Sequence, residues 1–200
     1  MRRLLTGMAI GLFVAGAASV EAQKTTDLKP GSGGSPHVRT EWAIDGAAIA
    51  IEYGRPFLKG RPEAQMMPPG QEWRTGADVA TIITTDKPLK FGAISLTPGS
   101  YTINTVPGDK EWQLVLGRLS KPGQWGIPYQ KALEIGRTPM KIGKAAKPVE
   151  NVTISIDDAA SGAVLWLMWQ RPVAEALGAR HSEDEALEGF LFLSPNLLGF

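Results

Sequence analysis

Short runs of alternating apolar and polar residues, each closed by Gly, Pro or Asp, recur between residues 38 and 169 and constrain this chain more than any other feature. Val38, Thr40, Trp42 and Ile44 share one parity, Asp45-Gly46 offers a hairpin turn, and Ile49, Ile51 and Tyr53 share one parity of the next run. Alternation resumes in ATIITT, in Leu89 to Phe91 and Ile94 to Leu96 around Gly92-Ala93, and at Tyr101, Ile103 and Thr105. Beyond Pro107-Gly108-Asp109-Lys110 it returns at Trp112, Leu114 and Leu116, then near Met140 to Ile142, and at Val152, Ile154 and Ile156. The stretch AVLWLMWQ is apolar on both parities, as a central strand covered on both faces would be. No helical period intervenes, so the pattern predicts an all-β fold, an antiparallel sandwich or barrel of about eight or nine short strands. Trp42, Ile51, Ile103, Leu114, Ile154 and Trp166 are expected in one core.

The ends of the chain depart from this pattern. Arg2 and Arg3 precede an apolar run from Leu4 to about Ala18, and Val20 and Ala22 are small residues one position apart. This is the pattern of a secretory signal peptide over residues 1–22, and it places the protein in the periplasm or outside the cell. No later stretch is long and apolar enough to span a bilayer, so the mature chain is expected to lack a transmembrane segment. Residues 23–36, QKTTDLKPGSGGSP, read as a flexible leader ahead of a single domain over 37–172. The tail, 173–200, combines VAEALGARHSEDEALEG with FLFLSPNLLGF and is expected to be a short C-terminal helix or disordered.

Composition then excludes several chemistries. The absence of cysteine removes disulfides, thiolate catalysis and thiolate metal ligands. The two histidines are His37, expected at a strand end facing solvent, and His181 in the tail, too few for an ordinary zinc site. No metal and no cofactor is expected. A Ser-His-Asp arrangement would need His37 as base, and no Gly-x-Ser-x-Gly elbow occurs. Between Gln23 and Pro172 there are 18 basic and 14 acidic residues, a net of +4. That is far below a nucleic-acid footprint.

Residues 54–79 hold no sustained period and form a loop longer than structureless connections usually are, a common place for function. The loop and its flanks carry Glu52, Tyr53, Arg55, Lys59, Arg61, Trp73, Arg74 and Asp78. Guanidinium groups beside aromatics can bind an anionic small molecule or a glycan. The same arginines can instead tie the loop down through Glu52, Glu72, Asp78 and backbone carbonyls. If Glu52, Glu72 and Asp78 converge, a carboxylate pair for hydrolysis is a further reading.

SPHVRTEWAIDGAAIAIEYGRPFLKGR, GQEWRTGADVATIITT, LTPGSYTINTVPGDKEWQLVLGR and the following QWG resemble the DUF2911 family of exported bacterial proteins. The likeness runs from about His37 to Gln170. It implies a mostly β exported domain of uncharacterised function, with no catalytic residue or cofactor to carry over. EAQMMPPG stands where the family has an aromatic, Gly-rich stretch, and Asp78-Val79 where it has Asn and an acid. Taken together, the sequence favours a periplasmic or secreted ligand- or glycan-binding module. The alternatives are a hydrolase using Glu52, Glu72 or Asp78 and a structural envelope protein. Ligand identity and oligomeric state are not encoded in these patterns.

Overall fold

The computed structural model describes residues 23–142, 148–159 and 162–169 and, as a strand, 187–194. The signal segment lies outside the described residues. Among the described residues twelve strands form in chain order: β1 Lys24–Leu28, β2 His37–Ile44, β3 Ala47–Gly54, β4 Thr81–Thr85, β5 Leu89–Phe91, β6 Ile94–Leu96, β7 Gly99–Val106, β8 Glu111–Arg118, β9 Glu134–Lys141, β10 Thr153–Ala159, β11 Gly162–Trp169 and β12 Leu187–Ser194. Helical geometry among the described residues is confined to one turn at Glu63–Met66 and one 3-10 turn at Lys131–Leu133.

Seven strands make one antiparallel sheet in the order β1-β2-β3-β4-β7-β8-β9, while β12-β11-β10 and the β5-β6 hairpin are smaller groups. The large sheet meets β12 through a single residue pair, Phe190 with Lys141, so the sheets form an open sandwich and not a closed barrel. One cluster fills the space between them, including Val38, Ile51, Ile83, Ile103, Leu114 and Met140 from the large sheet and Ile154, Leu165 and Leu167 opposite. Burial of alternate side chains supplies the stabilisation, at about 25 cal/mol per Å² of apolar area. At the first hairpin Asp45 and Gly46 take φ of 49° and 75°, the positive pair that a two-residue turn between right-twisted strands requires.

Three expectations are corrected. The leader is not free chain throughout, because Lys24–Leu28 pairs along β2 as an exposed edge strand. In the tail, Leu187–Ser194 is neither helix nor disorder but a strand, paired with β11 and reaching β5 and β9. Its alternating FLFLS composition satisfies strand geometry, and the charged residues upstream, whose composition suggested a helix, lie outside the described residues. Finally, Trp166 is not a core residue. Strand β11 buries Ala163, Leu165, Leu167 and Trp169, and Trp166 falls on the opposite, half-buried parity. A strand apolar on both parities gives no periodic signal to choose its inner face.

Ile154 is 2% exposed within this cluster. Replacing it with Ala should cost about 2–5 kcal/mol by urea denaturation, the transfer and cavity cost of a buried Ile. A loss under about 0.5 kcal/mol would mean that the β10 inner face is misassigned.

Candidate functional site

The residues of the 54–79 loop are tied mainly to the protein itself. Arg55 donates from Nε to the Val152 carbonyl at 2.8 Å and from Nη2 to Thr153 Oγ1 at 2.7 Å and Asn151 Oδ1 at 3.3 Å. Arg61 donates to the carbonyls of Leu58, at 2.9 Å, and Phe57. Lys59 is exposed at φ 51°, and its backbone N–H donates to Glu150 Oε1 at 2.7 Å. Tyr53 and Trp73 are buried core residues, so neither rims an open pocket. The Tyr53 hydroxyl accepts from the Ile154 N–H at 3.0 Å, and Trp73 stacks on Trp169 with ring centroids 5.5 Å apart.

The three carboxylates do not converge. Glu52 accepts from Arg39, directly across the β2-β3 pair. Glu72 accepts from Arg137 Nη2 at 2.8 Å. Asp78 is buried and bonded to His37 Nε2 at 3.1 Å and Ser32 Oγ at 3.2 Å. His37 is thus 7% exposed and not solvent-facing. Its ring is held by packing that only glycines permit. A Cβ at Gly31 would sit 1.8 Å from Asp78 Oδ2 and one at Gly54 would sit 2.5 Å from the Ala77 carbonyl. Because Ser32 bonds Asp78 rather than His37, the three do not form a nucleophilic relay. No group of three or more His, Asp or Glu among the described residues is arranged to hold a metal ion.

Asp78, at φ 63°, also marks where the loop docks on a second one. Its carbonyl accepts from Gly126 N at 3.2 Å, the Gln124 carbonyl accepts from Ala80 N at 3.0 Å, and Val79 bridges Trp125. Arg74 lies over the Trp125 ring at 5.7 Å, with Nε donating to the Gly76 carbonyl at 3.3 Å. Its Nη1 is buried with no hydrogen-bond partner, and burial pushes its pKa down. A Cβ on Gly126 would strike Arg74 Cδ at 2.5 Å, so the QWG segment requires its glycine.

This docking raises segment 119–133 over the outer face of β7 and β8 and leaves a cleft. Across these strands Ile103 faces Leu116 toward the core, while Thr102 pairs with Gly117 and Asn104 with Val115 on the opposite face. Thr102 and Asn104, 6% and 8% exposed, therefore form the cleft floor, with Gln124, Trp125, Tyr129 and Glu134 around it. The cleft is partly open, with about 20 Å³ of room for water-sized groups in a space of about 330 Å³ that includes open solvent. The Gln124 Oε1 accepts from Ser120 N at 2.9 Å and Oγ at 2.7 Å.

One wall is a charge network. Glu134 accepts from Tyr129 Oη, from Lys131 Nζ at 2.6 Å, and from Arg137 Nε at 3.0 Å and Nη2 at 2.9 Å. The Arg137 guanidinium chiefly holds the Glu134 carboxyl down to about 2. Burial, then the neighbouring carboxylate, raises Tyr129 to about 12.

The DUF2911 profile, described as a protein of unknown function, matches residues 35–176, more than half of the chain. The chain belongs to the DUF2911 family. No curated protein and no solved structure matched it. The WRTGA and QWG segments, separated in sequence by about fifty residues, are the two that dock on one another in this DUF2911 domain. Of the residues singled out from the sequence, Arg74 and Asp78 support the cleft from behind. Thr102, Asn104 and Glu134 escaped notice because a polar parity on a strand reads as solvent-facing, and Gln124 because it lies in an aperiodic segment. The one available cue was that QWG interrupts an irregular stretch with an aromatic between a carboxamide and a glycine.

Glu134, Glu72 and Asp78 all have folded-state pKa values below the ordinary range. Each contributes stability that is present above the ordinary carboxylate range and lost as pH falls through the lowered value. Tyr129, whose pKa is raised, contributes below the ordinary tyrosine value and loses that contribution as pH rises toward about 12. Urea midpoints should therefore be flat between about pH 5 and pH 10 and fall progressively from about pH 5 toward pH 2. Glu134→Gln should lower the plateau and shallow the acid limb; an unchanged acid limb would count against the network.

Proposed function

We propose that this DUF2911 protein is an exported binding module whose ligand, small and polar, seats in the cleft between β7, β8 and segment 119–133. The observation that carries the reading is the Asn104 side chain. It is 8% exposed and lines the cleft floor beside the Thr102 hydroxyl, and no hydrogen bond to another described residue claims its amide. Polar side chains on a cleft floor that are not committed to bonds within the protein are free to bond a ligand in place of water. Pockets with a few convergent polar groups beside an aromatic are ordinary small-molecule sites. Trp125, 47% exposed at the mouth, is such an aromatic.

Export rests on the Arg2-Arg3, apolar run and Ala22 pattern of the first residues. It also fits the absence of cysteine and of any helix, among the described residues, that is long and apolar enough to cross a membrane. Intact mass of protein recovered from the periplasm or medium should correspond to a chain beginning at Gln23. A soluble exported product of full-length mass would reject cleavage after Ala22.

Asn104→Leu keeps the volume while removing the amide. It should change stability by less than about 1 kcal/mol, because the amide makes no hydrogen bond within the protein. A thermal-shift screen of the natural chain against sugars, organic acids, nucleotides and amines should find a stabilising class that Asn104→Leu no longer recognises. Destabilisation by more than about 2 kcal/mol would make Asn104 a structural residue and sink this reading.

A further inference from the structure

We infer that the ligand is a neutral saccharide ring that lies against Trp125 and lowers one hydroxyl group between Asn104, Thr102 and Gln124; this rests on the cleft being a binding site. Three features of the cleft select that class.

Charge comes first. No lysine or arginine lines the cleft, and its single ionisable carboxyl, Glu134, is held in the ionised form. A ligand carboxylate or phosphate would find no free cation in the lining, since Lys131 and Arg137 are already paired with Glu134. A ligand amine fares little better, since Glu134 already accepts from Tyr129, Lys131 and Arg137 through both oxygens. The basic residues noticed in the sequence do not supply an anion site either, because Arg55 and Arg61 are bonded to backbone carbonyls elsewhere.

The niche comes second. The cleft has about 20 Å³ of room at the scale of a water molecule, enough to seat one small polar group against its floor. Gln124 Oε1 is fixed by Ser120, which leaves the Nε2 group as a donor, and the Asn104 amide offers a donor and an acceptor together. A hydroxyl donates once and accepts twice, so a single hydroxyl satisfies such a set, whereas a carbonyl or ether cannot donate and an ammonium cannot accept.

Shape comes third. Trp125 projects from a segment fixed by two backbone hydrogen bonds to the 78–80 chain, and Arg74 occupies one side of its ring. An aromatic held this way and half-exposed at a polar niche is a platform for the apolar face of a hydroxylated ring. A linear polyol would offer hydroxyls but no such face.

The test is 15N NMR of the full chain, following the side-chain NH₂ signals of Asn104 and Gln124 and the indole signal of Trp125. The titrants are neutral hexoses, pentoses and N-acetylhexosamines as methyl glycosides and disaccharides, with glucuronic acid, glucosamine, inorganic phosphate and sorbitol as matched controls. At least one neutral ring sugar is expected to shift all three signals, binding at least tenfold more tightly than its acidic, amino or open-chain counterpart. Trp125→Ala and Asn104→Leu should each weaken it tenfold or more while leaving the rest of the spectrum folded. An acid, amine or phosphate that shifts these signals at lower concentration than any neutral sugar overturns the saccharide assignment and leaves the cleft a binding site. Silence of all three signals toward every titrant at tens of millimolar overturns both.

Discussion

The Asp78 residue joins three parts of the molecule at one point. Its carboxylate holds His37 and Ser32 on one side, and its carbonyl receives Gly126 on the other. A buried carboxylate is tolerable only when its oxygens are satisfied, and here the partners come from the start of β2 and from the segment preceding it. The positive φ at Asp78 and at Thr75, 63° and 57°, turns the backbone so that side chain and carbonyl can serve opposite neighbours. Two such unfavourable residues within four positions persist because the surroundings over-determine them.

That junction explains why basic residues and glycines are mixed in this region. Backbone approaches backbone at Gly54 and Gly76, and the Arg74 side chain presses on Gly126, so that even a methyl group at any of the three would collide. The arginines then bridge the outer layers, Arg55 to the entrance of β10 and Arg74 to Trp125. Their role is mechanical for the loop, and the cleft is its product. The outer face of β7 and β8 would be an ordinary wet sheet surface without segment 119–133 above it. With that segment in place, Thr102 and Asn104 are enclosed.

Sequence patterning revealed the strands because half-buried strands write their inner face in every second residue, as at Val38, Thr40, Trp42 and Ile44. It failed where that code is silent or duplicated. Trp166 lies in a run apolar on both parities, and Lys24–Leu28, fully exposed, has no inner face to encode. His37 looked like a strand-end residue because its partner is forty-one positions away. Repulsion or attraction between charges is equally invisible along the chain: Glu72 was read beside Arg74, whereas it binds Arg137 on a distant strand. The cleft combines both difficulties, since its floor is a polar parity and its roof comes from an aperiodic segment.

Strand β12 carries a consequence for how the domain comes together. It pairs with β11 from Ala163 to Trp169, yet it lies beyond residue 176, where the family match stops. Until Leu187–Ser194 arrives, one edge of β11 remains an unpaired row of amides and carbonyls, the kind of edge that recruits other chains. A chain made from its N-terminus therefore completes the large sheet long before it can seal the smaller one. Closure follows the large sheet, and the nascent domain depends on Leu187–Ser194 to withdraw a sticky edge from its neighbours.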